Sequence, residues 1–177
     1  MNEWGFASEV SKWWEAEFSK HPEWPLVSAR VEEVVPGSKQ RSDLLVTGTH
    51  PLLCGEMRLP DHAQAAAWNL DNLQDAVQKA NARGCPYAFT SDGETLLLID
   101  VLRPGPLITK IIHRVELVHF TKRSELDSAA FLERTRVRWA EVLSEIAPII
   151  LGLARAPGMS PDELFVSALR ELLSAPV

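Results

Sequence analysis

Apolar residues recur at three- and four-residue spacing from Gly5 to Lys20, where Phe6, Val10, Trp13, Trp14 and Phe18 mark one face of an amphipathic helix that His21-Pro22 ends. Val27, Ala29, Val31, Val34 and Val35 form a weaker pattern over Leu26 to Val35, which suits a first strand stopped by Pro36-Gly37. Two short apolar runs, Leu44 to Val46 and Leu52 to Gly55, flank a turn at Thr47 to His50 and predict a hairpin. The period changes after Pro60: Ala66, Leu70, Leu73, Val77 and Ala80 predict a long helix closed by Arg83-Gly84. Cys85 to Thr90 and Leu96 to Val101 then read as two strands joined through Asp92-Gly93, a strong turn signal. Beyond Pro104-Gly105-Pro106, the alternating stretch Ile108 to Phe120 predicts an edge strand.

From Ser128 the chain is helical. Phe131, Leu132, Val137, Trp139, Val142, Leu143 and Ile146 mark one helix that either passes Pro148 or kinks there. Ser160-Pro161-Asp162-Glu163 carries the cap, first-turn proline and acid of another helix start, with Leu164, Phe165, Ala168, Leu169 and Leu172 as its apolar face. The expected organisation is an α/β domain over 1–120 and a helical extension, or the start of a helical domain, over 121–177.

The chemistry is expected in the hairpin from Arg41 to Pro60. Asp43 opens its first strand and Glu56 closes its second. Neighbouring strands lie about 4.8 Å apart, so acids at corresponding positions can share a divalent cation. Ligation by oxygen alone favours Mg²⁺ or Mn²⁺, which activates water and stabilises charge on a phosphate. Strand side chains alternate, which returns Arg58 to the face of Glu56.

Composition narrows the picture without redirecting it. With 177 residues, 46% hydrophobic and 24% charged, the chain has the make-up of a globular protein able to bury a core. A formal charge of -6 argues against gripping nucleic acid through a diffuse basic surface, so any DNA contact is expected to be local or shared with a partner. Cys54 and Cys85 fall in or beside expected buried strands, no signal peptide follows the acidic start, and a reducing cytoplasm is the expected compartment. The longest apolar stretch, Ile146 to Ala154, is far short of the roughly 20 residues a membrane span needs. The five histidines lack zinc-site spacing, and neither a Walker loop nor a dinucleotide fingerprint is present. Trp4, Trp13, Trp14 and Trp24 are expected in the core rather than stacked on bases.

The order helix, strand, strand with Asp, strand with Glu-x-basic, helix, strand resembles the PD-(D/E)XK nuclease superfamily. Ser42-Asp43 and Glu56-Met57-Arg58 carry the resemblance, together with Gln74 and the stretch Pro86 to Gly93, which look like the nuclease domains of type I restriction enzymes and related modification proteins. It covers roughly residues 5 to 120 and implies a restriction-endonuclease-like mixed sheet flanked by helices. It also implies Asp43 and Glu56 as ligands of Mg²⁺ or Mn²⁺, Gln74 as an auxiliary polar group, and a first-helix Glu as a further ligand, for which Glu9 is the candidate ahead of Glu15 and Glu17. DNA is the implied partner, with methylase or helicase domains or subunits beside it.

One position departs from the pattern. Arg58 stands where the superfamily has Lys, and a guanidinium that stays protonated orients water or stabilises phosphate charge but accepts no proton. Lys79 or Lys39 would have to supply an amine from elsewhere. The expected function is therefore a nuclease-like domain of a DNA restriction/modification or phage-defence system. The alternatives are an inert nuclease-fold module for DNA binding or partner docking, and a binding module with no nucleic-acid role.

Overall fold

The structure, a computed structural model, describes residues 1–31, 33–34, 41–60, 66–120 and 122–159, with Asp162, Val166 and Leu169 as isolated positions. In chain order the elements are α1 (Glu3–Phe18), β1 (Ser28–Arg30), β2 (Glu33–Val34), β3 (Arg41–Ser42), β4 (Leu44–Thr47), β5 (Pro51–Met57), α2 (Leu70–Arg83), β6 (Tyr87–Ser91), β7 (Thr95–Asp100), β8 (Ile111–Glu116) and α3 (Ala129–Ile150). Six strands form one mixed sheet in the order β1-β4-β5-β6-β7-β8. Only the β5–β6 pair within it is parallel, which is where α2 supplies the crossover a parallel pair requires.

The boundaries follow local chemistry. Asn2 caps α1 by accepting the Gly5 N–H at 2.8 Å, so the helix begins two residues earlier than its apolar pattern. α2 begins at Leu70 rather than Ala66, because the Asn69 side chain accepts from Asp71 N and Asn72 N and fixes the first turn there. Gly84, at φ 70°, closes it in the left-handed conformation. The strand expected over Leu26 to Val35 is two short pieces in its described part: β1 joins the main sheet and β2 pairs with β3 in a separate ribbon. Pro148 lies in the last turn of α3, and the helix runs on past it. The helix start expected at Ser160 lies outside the described residues, apart from three isolated positions.

The sheet separates two cores. On one face α1 and α3 bury Phe6, Trp14, Trp139, Leu143 and Ile146 against Leu44, Leu53, Met57, Phe89 and Leu98. Trp14 donates its indole N–H to the Trp139 carbonyl at 2.9 Å, and Phe89 packs edge-on against Trp14 at 5.8 Å between centroids. Gly55 makes room for this cluster, since a Cβ there would lie 2.2 Å from the Phe89 ring. On the other face α2 packs Leu73, Ala76, Val77 and Ala80 on Leu45, Cys54, Ala88, Leu97 and Ile99. Trp13, Trp14 and Trp139 are core residues. Trp4 is not: it is 53% exposed, in the first turn of α1 and nearly opposite Phe6 around the helix. Trp24 stacks on His21 near the surface, with ring centroids 3.9 Å apart.

Candidate functional site

The hairpin of β4 and β5 brings Asp43 and Glu56 to the same place. Leu44 pairs with Gly55, and continuing that antiparallel register by one step sets Asp43 opposite Glu56. Alternation does the rest. Leu44 and Val46 enter the α1/α3 core, so Leu45 and Asp43 belong to the α2 face; likewise Leu53 and Met57 enter the first core while Cys54 and Glu56 face α2. Asp43 sits in the bend between β3 and β4, where its Oδ2 accepts the Met57 N–H at 2.7 Å. Glu56 is 2% exposed.

Two cations meet Glu56, one on each carboxylate oxygen. Arg58 Nη2 lies 2.7 Å from Oε1, and Lys79 Nζ lies 2.5 Å from Oε2. Lys79 comes from the buried face of α2, where Asp75, one turn earlier, holds the same ammonium at 2.8 Å. Burial is the largest influence on Glu56, Asp43 and Lys79. It pushes the Glu56 carboxyl up to about 7, helped by the charge of Asp43 and opposed by Lys79 and Arg58. It also raises Asp43, against the pull of the Met57 N–H, Lys79 and Arg58, while Glu3 adds to the rise. Burial alone would lower Lys79, but Glu56 and Asp75 together outweigh it and its ammonium is held above the ordinary lysine value. Lys79 is therefore a charged donor here.

The Arg58 guanidinium is ringed by oxygen. Besides Glu56 Oε1, it has Asp43 Oδ2 at 3.8 Å and the Met57 carbonyl at 3.3 Å from Nη1. Two carboxylates and a main-chain carbonyl thus converge on one cationic group. That donor set, all oxygen and two of its three donors anionic, fits a magnesium-like ion, which uses one or two carboxylates and fills its other positions with water or phosphate. Among the described residues no group of three or more His, Cys, Asp or Glu side chains could hold a metal, so the expected set of Asp43, Glu56 and Glu9 is not gathered. Glu9 instead pairs with Lys12 at 2.7 Å.

The acid of α1 that lies toward the hairpin is Glu3. Its Oε1 accepts the Leu59 N–H at 3.2 Å, and Arg123 approaches it at 3.6 Å. Glu9 is about 9 Å farther along the helix axis. Gln74 is exposed on α2, whereas Lys79 reaches the carboxylates from the buried face of that helix. Lys39 lies outside the described residues. Lys79 was detectable in principle: it falls between Ala76 and Ala80 on the apolar face, where an unpaired lysine would be costly, and Asp75 stands one turn before it. Glu3 carried no comparable signal, because the apolar pattern starts the helix after it.

Main-chain bonds fix the floor of the site. The Arg58 N–H donates to the Ser91 carbonyl at 2.7 Å, extending the β5–β6 ladder past Glu56. Thr90 Oγ1 donates to the Ala67 carbonyl at 2.8 Å, and Asp92 accepts from Ala67, Glu94 and Thr95, which ties the approach to α2 onto the β6–β7 turn.

No protein-family model and no curated protein sequence matches this chain. Among solved structures, its fold is similar to that of the type IIG restriction endonuclease BpuSI, with a TM-score of 0.65 at 12% sequence identity. The match covers 90% of this chain and 18% of that one, so the chain corresponds to a small part of the larger enzyme's length. With its mixed six-stranded sheet, crossover helix and flanking helices, the protein has a restriction-endonuclease-like α/β fold.

Proposed function

We propose that this is a nuclease-like module that acts on DNA, with Asp43 and Glu56 as the ligands of a Mg²⁺ or Mn²⁺ ion. The observation that carries the reading is the convergence of these two carboxylates and the Met57 carbonyl at the end of β5, beside a lysine ammonium, on a fold similar to part of a restriction endonuclease. A bound ion would supply an activated water and neutralise charge on the phosphate. The chain's own groups do the remainder. Lys79 Nζ commits two of its three N–H donors to Glu56 and Asp75, and the third can orient a water or hold a phosphate oxygen. Arg58, always protonated, contributes charge and bidentate hydrogen bonding to phosphate and takes no proton. Lys79 thus stands in for the amine that the Glu-x-Arg sequence lacks.

The test is cleavage of supercoiled plasmid with Mg²⁺ or Mn²⁺ by the wild type and by Asp43→Ala, Glu56→Ala and Lys79→Met. Nicked or linear product from the wild type and its loss in all three variants is the expected result. Cleavage indifferent to Asp43 and Glu56 would refute the site.

A second reading rests on one specific observation: the oxygens that would take the ion are already engaged by Arg58. On that reading the module binds DNA, or docks onto a methylase or helicase partner, without cutting. Absence of cleavage together with DNA binding that weakens steeply as salt rises would favour it.

A further inference from the structure

Arg58 differs from the other cation of the site in how its surroundings treat it. Lys79 is pinned between two carboxylates, one of them on its own helix. Among the described residues Arg58 Nη2 has one close partner in Glu56, Nη1 has only the longer approaches to Asp43 and the Met57 carbonyl, and Nε is buried with no hydrogen-bond partner. Buried donors in a folded protein are nearly always satisfied, so an orphaned Nε marks a side chain whose present position leaves donors unused. The side chain is also 24% exposed, which gives it a way out to solvent that Lys79 lacks.

Charge favours a second position for it. Asp43 and Glu56 together offer two negative charges, and Asp75 helps to balance Lys79. With Arg58 in place, a divalent ion would meet a guanidinium within the same ring of oxygens, and like charges a few ångströms apart in a buried site repel. A lysine could relieve that repulsion by losing its proton. Arginine cannot, so relief requires movement. A phosphodiester offers the guanidinium what its present site does not, two oxygens matched to its paired N–H donors.

We propose that Arg58 is a displaceable cation that holds the ion site until nucleic acid arrives: its guanidinium fills the space among Asp43, Glu56 and the Met57 carbonyl, and moves onto a phosphate of bound DNA as a divalent ion enters. The inference rests on the ion-site reading given above. It makes DNA and the ion bind cooperatively, each strengthening the other through one side chain.

The experiment measures ion binding rather than cleavage. Mn²⁺ is titrated into the intact protein and the free ion is followed by its electron paramagnetic resonance signal, for the wild type, Arg58→Met and Arg58→Lys, with and without a short DNA duplex. Circular dichroism melting confirms that each variant is folded. Without DNA, Arg58→Met should bind Mn²⁺ about tenfold more tightly than the wild type, the repulsion having been removed, and Arg58→Lys should fall between them. The duplex should tighten Mn²⁺ binding to the wild type and leave Arg58→Met nearly unchanged. Should Arg58→Met fail to fold, Arg58→Lys carries the same comparison with a smaller shift. Equal Mn²⁺ affinity in wild type and variants, abolished by Glu56→Gln, would overturn the role of Arg58 while leaving the ion site standing. No Mn²⁺ binding in any of them, with or without duplex, would overturn the ion site and the displacement with it.

Discussion

The two faces of the sheet are built from different materials. The α1/α3 face is large and aromatic: Phe6, Trp14, Phe89 and Trp139 interlock there with ring centroids about 6 Å apart, within the range where edge-on packing is favourable. The α2 face is aliphatic and, among the described residues, without buried aromatic rings, and nearly half of its buried residues are small, with Cys54, Ala67, Ala76, Ala80, Cys85 and Ala88 among Leu, Val and Ile. From this face Lys79, in the C-terminal half of α2, reaches Glu56 on β5. One face supplies stability; the other spends some of it on two buried charges. The β5 strand joins them, since Gly55 accommodates Phe89 on one side and Glu56, the next residue, faces the other.

The largest effect should come from the aromatic face. Trp139 is fully buried and touches Phe6, Trp14 and Phe89. Replacing it with Ala removes that packing and leaves a cavity, so Trp139→Ala should lose about 3–5 kcal/mol of unfolding free energy by urea denaturation. If the loss were no larger than that of Ala80→Gly on α2, the assignment of stability to the α1/α3 face would be wrong.

A smaller and pH-dependent effect should come from Lys79→Met. Removing one member of a buried ion pair costs about 3–5 kcal/mol when the charge left behind stays ionised. Here Glu56 can escape by keeping its proton, because burial already holds its carboxyl at about 7, above the ordinary glutamate value. A carboxyl raised on folding binds more protons in the native state than in the unfolded one. Its contribution is therefore fully present below the unfolded value and is lost as the pH rises through about 7. Without Lys79 the carboxyl rises further, so Lys79→Met should be close to wild-type stability near pH 5 and clearly destabilised near pH 8. Glu56→Gln should abolish that slope. A cost independent of pH would mean that Glu56 is not the titrating partner.

How far the sequence foretold this division can be read from particular residues. The hairpin, its two acids and the return of Arg58 to the face of Glu56 were legible, because strand alternation has a fixed period and the Asp43 to Glu56 spacing suits a short turn. The helix after them was legible from its apolar repeat and Gly84. The sequence offers Glu9, Glu15 and Glu17 but not Glu3, because the helix phase does not locate its first turn, which the Asn2 cap extends. The sequence offers Lys79, beside Lys39, only as an amine from elsewhere, since nothing local states that α2 lies close enough for a lysine to span the gap. The oxygens around Arg58 include a main-chain carbonyl, and no side-chain pattern reveals where a carbonyl points. Nor did periodicity tell that α3, in the stretch set apart as a helical extension, shares its core with α1 and the sheet.

The smallest predicted effect tests whether the α2 face opens by itself. Cys85 follows the C-terminus of α2 and belongs to the same core as Cys54, which lies beneath the helix on β5. Burial pushes the Cys85 thiol up to about 11, with Arg83 opposing, so at pH 8 it is overwhelmingly protonated. Relative to an unfolded cysteine its thiolate population falls on the order of a hundredfold, before any steric protection is counted. Both thiols are buried and should react slowly with maleimide in the native protein. Their order in low urea is the informative part. If the two faces formed one cooperative unit, Cys54 and Cys85 would become reactive together, at the urea concentration of global unfolding. If α2 is held mainly by small contacts and by the Lys79–Glu56 pair, both should label at lower urea than is needed to expose Trp139, and Lys79→Met should lower that threshold further. Fluorescence of the buried tryptophans supplies the second reading on the same samples. Coincident transitions in both proteins would show that the aromatic face locks the helix down and that Lys79 is placed for chemistry alone.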